Sequence, residues 1–437
     1  MGEELDQILI LSSRPDFAER LKKFRADMMR AARFAGYGSK ENDQVVSILR
    51  DVAEHGDKAV AKYTEKFDRV KLTPAQFRVP ADDLRKAHEQ IDGRLLEALR
   101  QATENVRQYQ REIFIGDFKH PGIKYTPIRR VGICVPGASA PLPSTVIMTA
   151  VPAQVAGVKE IAVVSPPRVN GSIHPVILAV CHELGIEEVY RIGGAQAVAA
   201  LAASTETIAA VDKIVGPGNK WVQSAKKNVA GDYVAIDSIA GPSEVLIIAN
   251  EDAKAAWVAA DMLSQAEHAA DSSAIVMTDS EPLARKIVQE LKRQIRGLSR
   301  ANEAAESLKK FSAVVVVNTM TEAIQLANEF APEHLEVQCG SKSRKIAEQI
   351  HNAGAIFIGP HTPVAVGDYW AGPSHTLPTG TRAKFSSALT SNDFIKSISI
   401  IEYDKGRLAA SAEDIIRLAQ AEGLDAHANS VRIRQEG

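Results

Sequence analysis

At 437 residues the chain exceeds an ordinary single domain, so two or three domains are expected. Apolar residues at 45% and charged residues at 24% are ordinary for a globular protein, and a formal net charge of −2 gives no electrostatic case for nucleic acid or an anionic membrane surface. The scattered Cys134, Cys181 and Cys339 form neither a disulfide framework nor a CxxC metal site, and the apolar run in MGEELDQILILSSRP is too short for a signal peptide or spanning helix, so a cytoplasmic setting is expected.

The first hundred or so residues read as helical: ENDQVVSILRDVAEHGDKAVAKYTEKF places apolar residues at helical spacing with charges between them. From Arg129 the pattern changes. RRVGICVPG, KEIAVVSPP, EVYRIGG and KIVGPG are short apolar runs ended by Gly or Pro, separated by the helical STVIMTAVPAQVAG, IHPVILAVCHELG and AQAVAALAAS. A second alternating block has strands EVLIIAN, SAIVMT, SAVVVVN and AIFIGP, with helices AKAAWVAADMLSQAEH, EPLARKIVQELKRQIRG and SRKIAEQIHNAG. Strand–helix alternation at this spacing predicts parallel sheets built from βαβ units. No GxGxxG follows a strand, but GGAQ (Gly193 to Gln196) and GPGNK (Gly216 to Lys220) are glycine turns at strand ends, where open α/β sheets bind ligands. Taken alone, each is more readily a plain turn.

Several polar groups could carry chemistry. In DMLSQAEH, Gln265 and His268 end a predicted helix and lie three apart, on one face. AVGDYWAGPSH supplies Asp368 and His375 from a predicted loop after a strand, and AEGLDAHANS supplies Glu422 and His427. Each also has a bland reading, as a solvated helix end, a turn aspartate or a surface histidine. His182 in CHELG reads as helix packing. In FAPEHLE, Glu333 and His334 either open a helix behind Pro332 or form a pair for successive proton transfers.

Together VPGASAPLPSTVIM, GGAQAVAAL, VDKIVGPGNKWVQSAKK, AIDSIAGPSEVLIIA, LSQAEHAADS, FAPEHLE, AGAIFIGP, GDYWAGPSHTLPTG and EGLDAHANSV resemble the histidinol dehydrogenase family, over roughly Val131 to Val431. The resemblance implies a homodimer that oxidises L-histidinol to L-histidine with two NAD+ through an unreleased aldehyde. It implies one Zn2+ per subunit, for which Mn2+ or Co2+ could substitute, held by Gln265, His268, Asp368 and, from the partner subunit, His427. Glu333 and His334 match the catalytic pair. Ser243, His375 and Glu422 match substrate contacts, alongside the metal ligands and His334. Gln196 and Asn219 match NAD contacts, and Cys134 stands where the family pattern has a tyrosine. The implied architecture is two Rossmann-like α/β domains without the usual fingerprint, extra N-terminal helices and a C-terminal helical arm exchanged in a domain-swapped dimer. Its expected divisions are an N-terminal arm 1–30, a discontinuous domain 31–130 with 245–386, a nucleotide-side domain 131–244 and an arm 387–437. Oxidation of another small amino alcohol or diol, and zinc-dependent hydrolysis, are the alternatives.

Overall fold

The computed structural model describes residues 4–34, 39–137 and 141–436. Two parallel sheets organise the larger of two compact units, which spans residues up to Phe114 and Pro127–Phe394. The strands, in chain order, are β1 (Leu9–Leu11), β2 (Ile123–Pro127), β3 (Arg130–Cys134), β4 (Glu160–Val164), β5 (Glu188–Tyr190), β6 (Lys213–Val215), β7 (Ala235–Ile236), β8 (Glu244–Ala249), β9 (Ser273–Thr278), β10 (Ala313–Val316), β11 (His334–Gln338), β12 (Ala355–Ile358) and β13 (Ile395–Ser399). The five-stranded sheet runs β5-β4-β3-β6-β7 and the six-stranded sheet β1-β10-β9-β8-β11-β12. Apart from β1, both begin with a central strand, add two strands on one side, then cross back and add two on the other. The order therefore reverses between β3 and β6, and between β8 and β11. Unbroken apolar runs suit these strands because both sheet faces are covered: every residue of β3, β9 and β10 is buried.

The predicted strands are present, and three further ones in the two parallel sheets were not legible as such. β1 lies in the expected N-terminal arm, yet it pairs with β10 at the edge of the six-stranded sheet and buries Ile10 and Leu11, with Leu5 and Ile8 buried in the turn just before it. β7 closes one edge of the five-stranded sheet. β11 occupies the HLEVQ segment and pairs with both β8 and β12.

The helical N-terminal region also packs differently from expectation. Helix Lys40–Asp68, capped by Ser39 and kinked at Gly56, buries Val45, Ile48, Val52 and Val60 with Ala162, Val164, Leu201 and Ile214. Helices Ala81–Gln90 and Gly93–Glu112 pack on Pro175–Glu183 and Pro143–Val155. The first of these helices thus shares the core of the five-stranded sheet, and the other two pack on helices that connect its strands, while Asn105 also donates to Trp370 O in the 245–386 region with which 31–130 is expected to group. An amphipathic helix shows that one face is buried, not which sheet receives it.

The second unit contains residues 115–126 and 395–437. In it β2 pairs with β13, and helices Lys405–Ala421 and Asp425–Glu436 pack on each other. It starts a few residues later than the expected arm because Leu389, Ser391 and Phe394 are buried in the larger unit, where Ser391 N donates to Gln110 Oε1 at 2.7 Å. Among the described residues, no helix is long and apolar enough to cross a membrane.

Candidate active site

The segment FAPEHLE begins at the end of helix Met320–Phe330. Ala331 caps that helix in a left-handed conformation, φ 49° and ψ 62°, with its N–H on Ala327 O at 2.9 Å. Such a conformation is costly for a residue with a β-carbon and persists only where the surroundings enforce it. Pro332 then leads into β11, so His334 opens a strand and Glu333 directly precedes it, in place of a helix start behind Pro332. The next connection pins this backbone: Gly354 N donates to Pro332 O and Ala355 N to Glu333 O. A β-carbon at Gly354 would lie 2.5 Å from Glu333 O, so glycine is required for that approach.

Glu333 and His334 are 6% and 4% exposed. Both are oriented by the backbone of one residue, Glu244, at the start of the adjacent β8. Glu244 N–H donates to Glu333 Oε2 at 2.9 Å, and Glu244 O accepts from His334 Nδ1 at 3.0 Å. Fixing Nδ1 as the donor leaves Nε2 as the atom that can exchange a proton. Nε2 has no hydrogen-bond partner and lies 3.8 Å from Asp368 Oδ1. Ser243, directly before Glu244, favours the ionised form of the Glu333 carboxyl, so it too belongs to this group.

Asp368 sits on the short helix Val364–Tyr369, not in the predicted loop, and its carbonyl faces His375 Nδ1 at 3.2 Å. Gln265 lies in helix Ala255–Ala266, but His268 is just beyond its cap, held by His268 N–H to Gln265 O at 3.2 Å. The predicted helical pair is therefore a residue in the last turn and one in the turn that follows. Glu422 caps helix Lys405–Ala421 and His427 lies in Asp425–Glu436; both are exposed and both belong to the second unit.

These groups feel one another's charge. Burial pushes the Glu333 carboxyl up, against the pull of His334. Burial alone would lower His334, but the charges of Glu333 and Asp368 outweigh it and raise the imidazole to about 9. This differs from the near-neutral value expected of an unperturbed histidine. For Asp368 burial opposes ionisation, yet His334, His375 and His268 hold its pKa below the ordinary range. Burial lowers both His268 and His375, the former despite its exposed edge.

A cation would relieve several of these features. Gln265 is 1% exposed and neither atom of its amide has a hydrogen-bond partner, an expensive condition for a buried polar group. With Asp368 and His268 it offers amide oxygen, carboxylate and imidazole, a donor set compatible with zinc. Among the described residues no three His, Cys, Asp or Glu side chains gather closely enough to hold an ion. Only two of the three candidate donors in this unit are of those types, so Gln265 and a donor from elsewhere are needed to complete a tetrahedral set.

The other predicted contacts lie at the five-stranded sheet. Gln196 is in helix Gly194–Ala203, after β5; it is 1% exposed, with both amide atoms unpartnered. Asn219 follows β6 and caps helix Lys220–Val229, its Oδ1 accepting from Trp221 N and Val222 N. The turn before it is tightly held: Asp237 accepts from Gly216 N at 2.7 Å, and buried Lys226 bonds to Gly216 O and to Asp237. Gly216 has φ 103°, and a β-carbon there would lie 2.4 Å from Cys134 O. Cys134 ends β3 with its side chain in the core and its thiol pushed up to about 12 by burial.

Three acidic residues were missed: Glu244, Asp261 and Glu336. The first follows Ser243 directly, and Glu336 is two residues from His334 in strand alternation, but an acidic residue in such a pattern ordinarily faces water.

Two parallel sheets of like order, with a buried carboxyl–imidazole pair at the strand ends of one of them, define an α/β enzyme. Its fold is similar to that of an acetylating aldehyde dehydrogenase from Geobacillus thermoglucosidasius, with a TM-score of 0.50 and 15% identity over 89% of this chain and 98% of that one, a likeness of fold alone. The histidinol dehydrogenase family model matches residues 34–435. The chain is 48% identical to a histidinol dehydrogenase of Rhodopirellula baltica over 90% of its own length and 86% of that protein's. It superposes on a histidinol dehydrogenase from Elizabethkingia anophelis with a TM-score of 0.88, at 35% identity over 95% and 96% of the two chains. The chain belongs to the histidinol dehydrogenase family.

Proposed function

We propose that this chain oxidises L-histidinol to L-histidine in histidine biosynthesis, with NAD+ as oxidant and one zinc ion per subunit. Family membership supports the reaction and sets aside the hydrolase alternative. The observation that carries the mechanism is the double use of Glu244, whose N–H and carbonyl orient Glu333 and His334. When bound, zinc orients the substrate and NAD+ accepts its hydride. Gln265, His268 and Asp368 would hold the ion, with His427 of a partner subunit as the fourth donor. Ser243, His375 and Glu422 would bind substrate, and Gln196, Asn219 and the Cys134 backbone would meet the nucleotide.

The alcohol-to-acid conversion removes four electrons in two steps with water added between them. His334 Nε2 takes the alcohol proton as the first hydride leaves. Glu333 takes a proton from water as its oxygen attacks the aldehyde carbon, and His334 returns its proton to the carbonyl oxygen, which gives the hydrate and leaves the imidazole neutral. His334 then takes a hydrate proton as the second hydride leaves. As a base His334 must be neutral, and the charge of Asp368 opposes that. Neutralising Asp368 with a cation brings the imidazole down toward the pH at which the base works.

A homodimer with shared sites fits the placement of Glu422 and His427 in a separate unit. The free, buried cysteines accord with a reducing, cytoplasmic setting. The test is NAD+ reduction on adding L-histidinol, abolished by chelator and restored by zinc or manganese. Inactive His427→Ala and His268→Ala proteins, mixed under verified subunit exchange, should recover activity because one hybrid site is whole. No turnover removes the reaction; no recovery removes the shared site.

A further inference from the structure

β11 carries a second buried polar group on the face of His334. Leu335 and Val337 point into one core of the six-stranded sheet, while His334, Glu336 and Gln338 alternate onto the other face. Glu336 is 1% exposed and Gln338 4%. Gln338 Nε2 donates to Asp261 Oδ2 at 2.7 Å and to Glu336 Oε2 at 2.9 Å, and Glu336 Oε1 accepts from Val364 N at 3.2 Å. Asp261 and Glu336 thus meet at one amide nitrogen, and burial, with the charge of Asp261, pushes the Glu336 carboxyl well above its ordinary range.

The three elements tied together here carry the candidate site. Asp261 is one helical turn before Gln265. Val364 opens the short helix whose next turn carries Asp368. Glu336 is two residues beyond His334 on the same strand. We propose that the Asp261–Glu336 carboxyl pair, with Gln338, is a positioning brace that fixes Gln265, Asp368 and His334 relative to one another. This rests on the reading of Gln265 and Asp368 as metal ligands and His334 as the base. A buried carboxyl pair is a poor way to stabilise a sheet, since apolar residues of like volume usually do as well. It does supply directional bonds to three separate backbone elements, which apolar packing cannot. Outer groups of this kind commonly govern how metal ligands are held.

Val364→Pro is the sharpest variant. Proline is tolerated in the first position of a helix, and the substitution removes the N–H that bonds Glu336 without leaving a buried charge. It should weaken zinc binding, measured by chelator competition, by about 10–100-fold. It should also alter the visible spectrum of the cobalt-substituted protein and lower kcat, with KM for NAD+ unchanged. Glu336→Leu should do the same more severely. Glu336→Gln, neutral and still able to accept from Val364 and donate to Asp261, should stay close to the parent in zinc affinity and spectrum. Val364→Pro with normal zinc affinity, spectrum and kcat overturns the brace, whether or not Glu336→Leu folds. So does a Val364→Pro protein that loses thermal stability alone. Zinc binding that survives Asp368→Ala in the otherwise intact chain overturns the ligand reading itself, and the brace with it. Loss in Asp368→Ala with none in Val364→Pro overturns the brace only.

Discussion

In the five-stranded sheet the polar turns follow carboxyl ends: Gly193 and Gly194 come after β5, and Gly216 to Asn219 after β6. In the six-stranded sheet Glu244 and His334 stand at the amino ends of β8 and β11, although the strand order reverses at the corresponding place. The usual crevice of an open α/β sheet lies outside the carboxyl ends, so only the five-stranded sheet follows that rule. At the other sheet's carboxyl end the chain closes on itself: Asn250 N donates to Gln338 O, and Cys339 N to Ser343 Oγ at 2.9 Å. Its amino end instead leaves His334 Nε2 and the Gln265 amide without hydrogen-bond partners. One strand order can therefore serve two tasks: backbone turns at one sheet's carboxyl end suit a nucleotide, and side chains at the other's amino end suit acid–base chemistry.

The strongest way to break this division is at β11. His334→Asn should lower turnover of both L-histidinol and the aldehyde by about 10²–10⁴-fold, typical of a positioned base, while NADH binding measured by fluorescence stays intact. A matching loss of NADH affinity would mean that the two sheets do not divide the work as stated. Glu333→Gln preserves shape and should spare much of alcohol oxidation while largely abolishing aldehyde oxidation. Separate assays on alcohol and aldehyde decide it, and normal aldehyde oxidation would exclude Glu333 as the base for water.

The sequence made the βαβ alternation and the clustered motifs legible because both are local: apolar runs bounded by Gly and Pro, and unusual residue types at short spacing. Three-dimensional use was less legible. HLEVQ alternates like a strand, but behind Pro332 the segment reads equally as the opening of a helix; the structure makes it a strand and buries its polar face. Asp368 looked like a loop residue because Gly367 precedes it, yet a helical turn carries it. The carboxyls of Asp261 and Glu336 come together only when β11 and helix Ala255–Ala266 pack, so neither segment alone announces them.

Glu244 gives an intermediate effect confined to the six-stranded sheet. Its residue keeps a partly exposed edge, but burial of the carboxyl and the nearby charge of Glu333 push its pKa up to about 7. A carboxyl raised in the folded state favours folding below its unfolded value of 4.5 and loses that contribution as pH rises through about 7. The loss is at most roughly 3 kcal/mol, since some solvent screening remains. Glu244→Gln should therefore flatten the decline in stability between pH 5 and 8, as read by denaturant unfolding of the metal-free protein. An unchanged decline would show that this carboxyl is not the group responsible.

The smallest effect separates the two sheets most cleanly. Gln196 and Gln265 are each 1% exposed, and neither amide has a protein partner. Leaving a buried amide unsatisfied costs free energy in the ligand-free chain. Methionine has nearly the same length and no such demand, so each Gln→Met change should stabilise the ligand-free protein by about 1–2 kcal/mol. The two variants should then part. Gln196→Met should weaken NADH binding by roughly tenfold, as loss of one well-made hydrogen bond does, and leave zinc affinity unchanged. Gln265→Met should lower zinc affinity and leave NADH binding unchanged. Stability follows from thermal melting, and the two affinities from fluorescence and chelator competition. If either variant loses both ligands equally, the two amides share one site and the assignment of separate ligands to the two sheets fails. If either destabilises the ligand-free chain, its amide has a partner in solution, such as an ordered water, and the cost inferred from its lack of protein contacts is absent.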